Sequence, residues 1–256
     1  MKPHNYTFYL LFYILASFWS LPSAAYADTL PEFIIITEER KPYNFTKNGT
    51  IIGISADVLM LMLERTGSTQ KSNDIKLYPW ARGYRIIQKK TNTILFTTAR
   101  TKERENLFKW VGPIGEVEYQ LYALKSKNIK INSFNDLKKH NIGTIRKDVT
   151  EEFLVNKTGM SLDDFDRASS NSNNMLKLSL GRIDLVAQSY VSMINSCKES
   201  ELNPDDFEPV FVLNSKGLYF AFNNETPDHI VEKLQAAFDS IKKDGKLAEI
   251  FSKYDN

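Results

Sequence analysis

One cysteine, Cys197, and three histidines among 256 residues leave little material for redox, metal or nucleophilic chemistry. A single cysteine excludes an intramolecular disulfide in any compartment, and Cys197 is expected to be a small, buried side chain on a helix. The sequence has no His-Glu-x-x-His, no paired cysteines and no Gly-rich phosphate loop. Gly53-Ile54-Ser55 lacks the second glycine of a nucleophile elbow. Hydrolysis by a serine, cysteine or metal route is therefore disfavoured, and no cofactor is expected. Charge of one sign is absent too: 33 basic and 31 acidic residues give a formal +2. Nothing in that balance points to nucleic acid or to a membrane surface.

Long hydrophobic runs are also missing. The longest, Phe8 to Leu21, is shorter than the roughly 20 residues a membrane-spanning helix needs. With Lys2 before it and Ala25-Tyr26-Ala27 after it, the run has the layout of a secretory signal peptide, with cleavage expected after Ala27. No second apolar segment or basic flank follows to arrest transfer, and no cysteine follows to carry a lipid. Removing the leader takes away Lys2 and lowers the formal charge from +2 to +1. The Asn-x-Thr sequences at Asn44 and Asn48 fit chance in an Asn- and Thr-rich chain.

What remains alternates regularly. Phe33 to Ile36 is a β-branched run expected as a buried strand, followed by a polar, Pro-broken loop from Glu38 to Phe45. Gly53 leads into a helix through Val58, Leu61, Met62 and Leu63, with Gly67 as its stop. A strand over 75–78, a helix from Pro79-Trp80 and a strand over 93–97 follow. The rhythm restarts near Tyr119, with strands over 119–124, 141–145 and 185–188 and helices over 133–139, 148–155 and 174–180. Strand-like segments at 207–213 and 218–222 precede a helix opened by Thr226-Pro227-Asp228. In that helix Ile230, Leu234, Ala237, Phe238 and Ile241 form a core stripe ended by Gly245. Two α/β halves of similar pattern are implied.

The segment Thr97-Thr98-Ala99-Arg100-Thr101-Lys102-Glu103-Arg104 follows a buried strand and reads as entering a short helix. Strand ends and helix N-termini present free N–H groups to anions, and a nearby arginine grips a carboxylate with two parallel hydrogen bonds. A solvated charge run is the competing reading.

In their order, several pieces carry a resemblance across the whole chain after the leader: Pro42-Tyr43, Gly53-Ile54-Ser55-Ala56-Asp57-Val58, Pro79-Trp80-Ala81-Arg82, Thr101-Lys102-Glu103-Arg104, Gly181-Arg182-Ile183-Asp184 and Asp244-Gly245. The chain resembles the extracellular solute-binding proteins of family 3, the periplasmic receptors of polar amino-acid uptake systems. It looks closest to a divergent branch with the longer signature running from Thr98 to Pro113. The resemblance implies a two-lobed type II periplasmic binding protein fold of α/β class, each lobe a mainly parallel sheet flanked by helices. Two crossing strands would fall near Gly115–Val117 and Asn214–Gly217. Lobe 1 would take residues 28–116 and 217–256, and lobe 2 residues 117–216.

The same resemblance makes Arg104 the ligand's carboxylate anchor and puts Thr97, Thr98 and Ala99 at a strand end that bonds ligand. Tyr43 and Trp80 would be cleft walls, or for Trp80 a hydrophobic anchor at a helix start. Arg82 would face either the cleft or solvent. The second lobe departs from the family pattern. Lys147-Asp148-Val149 replaces Gly-Thr-Thr or Gly-Ser-Thr, and Ser189 stands where the family places an aspartate for the ligand ammonium. Asp148 either supplies the missing negative charge or only caps its helix, and Arg146 either adds a cation for a diacid or does not.

The function implied is capture of a small carboxylate-bearing, amino-acid-like metabolite in the periplasm, for an ABC-type transporter or for a membrane sensor, by a monomer that is not an enzyme. A lyase on the same fold would need an acid or base in the cleft, for which Glu38, Glu39 and Asp148 are the candidates.

Overall fold

The computed structural model describes Leu30 to Tyr254; the expected signal peptide and its cleavage after Ala27 lie outside the described residues. The β-branched runs do become the strands at the centre of the molecule. β1 (Ile34–Thr37) pairs in parallel with β4 (Lys76–Leu77) on one side and β5 (Thr93–Ala99) on the other. A second parallel set is formed by β9 (Leu185–Ser189), β7 (Ile142–Ile145) and β8 (Phe165–Ala168).

Two long strands, β6 (Phe108–Leu124) and β10 (Phe207–Asn223), run antiparallel to each other between these sets. They join everything into one eight-stranded sheet of order β4-β1-β5-β10-β6-β9-β7-β8. The segments expected as crossings lie in their middles, where Val117 pairs with Lys216 and Glu116 with Gly217. The sequence reading made β10 two strands and began β6 only at Tyr119. A small hairpin, β2 (Phe45–Lys47) with β3 (Thr50–Ile52), lies apart from the main sheet.

Helices follow the strands. α1 (Ile54–Arg65) and α2 (Trp80–Lys89) serve the first set, and α3 (Val149–Thr158), α4 (Asn171–Ser179) and α5 (Tyr190–Glu199) the second. α1 starts at Gly53, whose φ of 126 only glycine adopts easily; a Cβ there would lie 2.5 Å from the Tyr43 carbonyl oxygen. The segment 133–139 is a 3-10 helix rather than an α-helix. Beyond Arg100 the expected helix does not form: residues 102–107 are turns, with the Arg104 N–H donating to the Thr101 carbonyl at 3.1 Å.

α6 (Asp228–Lys243) buries all five residues of the expected stripe, of which Ile230, Leu234, Phe238 and Ile241 contribute about 1.5–3 kcal/mol each. Gly245, at φ 80, ends it and turns the chain into α7 (Lys246–Tyr254). Cys197 is fully buried on α5, and its thiol is pushed up to about 11 by that burial. Among the described residues no helix is long and apolar enough to cross a membrane.

Candidate functional site

Parallel strands aim their carboxyl ends the same way, and the loops leaving those ends are where an α/β sheet meets its ligands. Here the loops after β1, β7, β8 and β9 face one another around a cavity of about 330 Å³. The loop after β1 supplies Glu38, Glu39, Arg40 and Lys41 to its lining, and β6 adds Tyr119. Asp148, Ser170 and Ser189, the N-caps of α3, α4 and α5, line the cavity as well. Three helix N-termini thus converge on the cavity, with Ser169, Ser172, Ser192 and Asn195 between them.

The Glu38–Asn44 loop is held from behind. Thr97 sits at φ 63, a left-handed conformation costly for a β-branched residue. Its hydroxyl donates to Asn44 Oδ1, and Asn44 Nδ2 in turn donates to the Glu38 carbonyl at 2.5 Å. Thr97 and Asn44 are both buried, so this relay fixes Glu38 and Arg40 against β5.

The charges inside are matched unevenly. Arg40 donates to Tyr119 Oη at 3.2 Å and lies 5.7 Å from that ring's centroid, and among the described residues no carboxylate is bonded to its guanidinium. Burial pushes the Glu38 carboxyl up to about 7, Asp148 adding to the rise and Arg40 opposing it. The Tyr119 phenol is raised, chiefly by burial. Asp148 is both an N-cap and a cavity wall: Oδ1 accepts from the Thr150 N–H at 2.9 Å and the Thr150 hydroxyl at 2.7 Å. Gln188 also lines the cavity, and its Oε1 is buried without a hydrogen-bond partner.

The other sequence candidates lie elsewhere. Arg104 is 1% exposed and does not line the cavity. Its Nη2 is 2.5 Å and its Nε 2.6 Å from Glu152 Oε1, Nη2 also donates to the Lys147 carbonyl at 3.2 Å, and its guanidinium faces the Trp80 and Tyr84 rings. Trp80 is buried in the core, its Nε1 donating to the same Lys147 carbonyl. Thr98 is buried with its hydroxyl on the Leu95 carbonyl, and Ala99 lends its carbonyl to Arg104. Tyr43 packs half-buried against the core cluster to which Leu121 and Phe153 belong. Arg82 stacks on Tyr78 at 3.9 Å, and Arg146 lies in shallow outer grooves. Of the residues expected to hold ligand, the structure brings Asp148 and Ser189 to the cavity.

Arg40, Tyr119 and Gln188 had no sequence signal as ligand contacts. A bare charge in a Pro-broken loop was the only hint at Arg40. Among the described residues, no three His, Cys, Asp or Glu side chains are grouped to hold a metal ion.

Known proteins of the same build were found. The probable amino-acid-binding protein YxeM of Bacillus subtilis (strain 168) is 22% identical over 221 residues, covering 86% of this chain and 82% of its own. A histidine kinase sensor domain with similarity to periplasmic binding proteins superposes with a TM-score of 0.75 at 16% identity, over 88% of this chain and 96% of its own. The P235GK mutant of ArgBP from T. maritima gives 0.72 at 17% identity, over 87% and 94%. At such identities the structural likeness establishes the fold, the two-lobed type II arrangement. The family model for bacterial extracellular solute-binding proteins, family 3, matches residues 33–256, and the chain belongs to that family.

Proposed function

We propose that this protein is a periplasmic receptor, not an enzyme, that closes over a small amino-acid-like metabolite. The observation that supports this reading is the cavity, whose lining holds a cation, Arg40, together with the acidic side chains of Glu38 and Asp148. In this reading Arg40 takes the ligand carboxylate while Glu38 and Asp148 take an ammonium. Charge-assisted bonds of this kind are about twice as strong as neutral ones. Ser189, where the family carries an aspartate, adds only a hydroxyl. Arg104 then joins the halves of the molecule instead of gripping ligand.

The lobes are residues 28–116 with 217–256, and 117–216, hinged in the middles of β6 and β10. The chain acts after export and cleavage behind Ala27, as a monomer delivering cargo to an ABC-type permease. The name of the Bacillus relative, a probable amino-acid-binding protein, supports the ligand class. The likeness to a histidine kinase sensor domain favours a second reading, in which the closed receptor signals to a membrane partner.

A thermal-shift screen of residues 28–256 against amino acids, dicarboxylates and polyamines tests the ligand class. Ligand at a hundredfold excess over Kd adds about 2.7 kcal/mol of stability, several degrees for a chain of this size. No shift with any amino acid would reject the reading.

A further inference from the structure

Arg104 is the one charged group among the largest fully buried side chains of the described residues. A guanidinium taken out of water requires a counter-charge, and its partner here is a side chain 48 positions away. Glu152 reaches across from α3, its Oε1 on Arg104 and its Oε2 accepting from the Thr101 hydroxyl at 3.1 Å. The pair lies next to the cavity: Arg104 Nη2 donates at 3.2 Å to the carbonyl of Lys147, and the next residue, Asp148, lines the cavity. Beside this neutralised pair, the cavity lining carries the carboxylates of Glu39, Asp148 and Glu199 and, titrating near 7, that of Glu38, against two cations, Arg40 and Lys41.

We infer that Glu152 sets the charge of the ligand this cavity selects. By saturating Arg104 it cancels, beside the cavity, a buried guanidinium charge that would otherwise favour an anionic ligand. The excess of carboxylates that remains selects a ligand with one more ammonium or guanidinium than it has carboxylates. The inference rests on the receptor reading above and narrows it from zwitterions in general to cationic amino-acid-like molecules. Glu152 is a specificity-determining residue that works through Arg104.

The test uses arginine and glutamate as probes in calorimetric titrations of the wild type, Glu152→Ala and the isosteric Glu152→Gln, with Glu103→Ala as control. Glu103 bonds Asn156 nearby on the exposed surface. The wild type and Glu103→Ala are expected to prefer arginine. Either Glu152 variant should shift the ratio of dissociation constants toward glutamate by at least about tenfold, since an unpaired buried guanidinium recruits an anion. Melting of Glu152→Ala should also rise in acetate over chloride at equal ionic strength, and that of the wild type should not.

A folded variant that keeps the wild-type ratio, or that gains nothing from acetate, overturns the role of Glu152 while arginine binding by the wild type keeps the receptor reading. A wild type that binds neither probe, or that prefers glutamate, overturns this inference, while a thermal shift with any other amino acid keeps the receptor reading. Should Glu152→Ala fail to fold, Glu152→Gln decides through the ratio.

Discussion

Trp80 Nε1 donates to the Lys147 carbonyl oxygen at 2.8 Å, tying the start of α2 in the first parallel set to the turn before α3 in the second. Lys147 presents that carbonyl because it sits at φ 66. Its own N–H is held by Glu151 Oε2 at 2.9 Å, and Glu151 is locked by Arg167 and Thr144. A buried charge network therefore shapes the turn, and the turn offers its carbonyl to Trp80 and Arg104.

Trp80→Phe keeps an aromatic ring in the core and deletes the donor. The loss is that of one net hydrogen bond, about 1 kcal/mol. Melting should fall by about 2–4 °C, as a chain of this size loses per kcal/mol. An unchanged transition would mean that this bond is not made in solution.

The strands β1 and β9 were legible before the structure, because Phe33-Ile34-Ile35-Ile36 and Leu185-Val186-Ala187 are apolar enough on both faces to be buried strands. The first half of β6 was not. Lys109, Gly112, Pro113, Gly115 and Glu116 break any hydrophobic pattern there. That strand exists because β10 bonds it along its length, a partner about a hundred residues away. Site legibility divided in the same way. The Asp148 cap is local and visible in Lys-Asp-Val-Thr, whereas the pairing of Arg104 with Glu152 is set by tertiary distance alone.

Glu38 should make stability depend on pH. Its carboxyl is raised from 4.5 to about 7 in the fold. Between those values the native protein keeps a proton that the unfolded chain has lost, so this group's contribution to stability falls as pH rises through that window. Urea unfolding at pH 5 and pH 7.5 should show the slope, and Glu38→Gln should flatten it. A cationic ligand, which favours ionised Glu38, should release protons near pH 6.5, seen as buffer-dependent binding heats.

Gly53→Ala should be among the most damaging small changes in the chain. The added Cβ meets the Tyr43 carbonyl oxygen at 2.5 Å and the backbone is held at φ 126. A cost of about 2 kcal/mol or more is expected from clash and strain together. The urea midpoint should drop with an unchanged slope.

Thr97→Val retains the β-branched shape and removes the hydroxyl that holds Asn44. Asn44 then loses a buried partner, at about 1–3 kcal/mol. Because Asn44 positions the Glu38 loop, ligand affinity should fall along with stability. Full affinity in a folded variant would show that the loop is fixed by other contacts.

Arg40, not a residue outside the cavity, is expected to receive the ligand carboxylate. Calorimetric titration of the wild type and Arg40→Ala with the amino acid found in the thermal screen tests it directly. A loss of at least about 2 kcal/mol, roughly thirtyfold in Kd, is predicted for the truncated charge partner. Equal affinity in the folded variant would contradict the account.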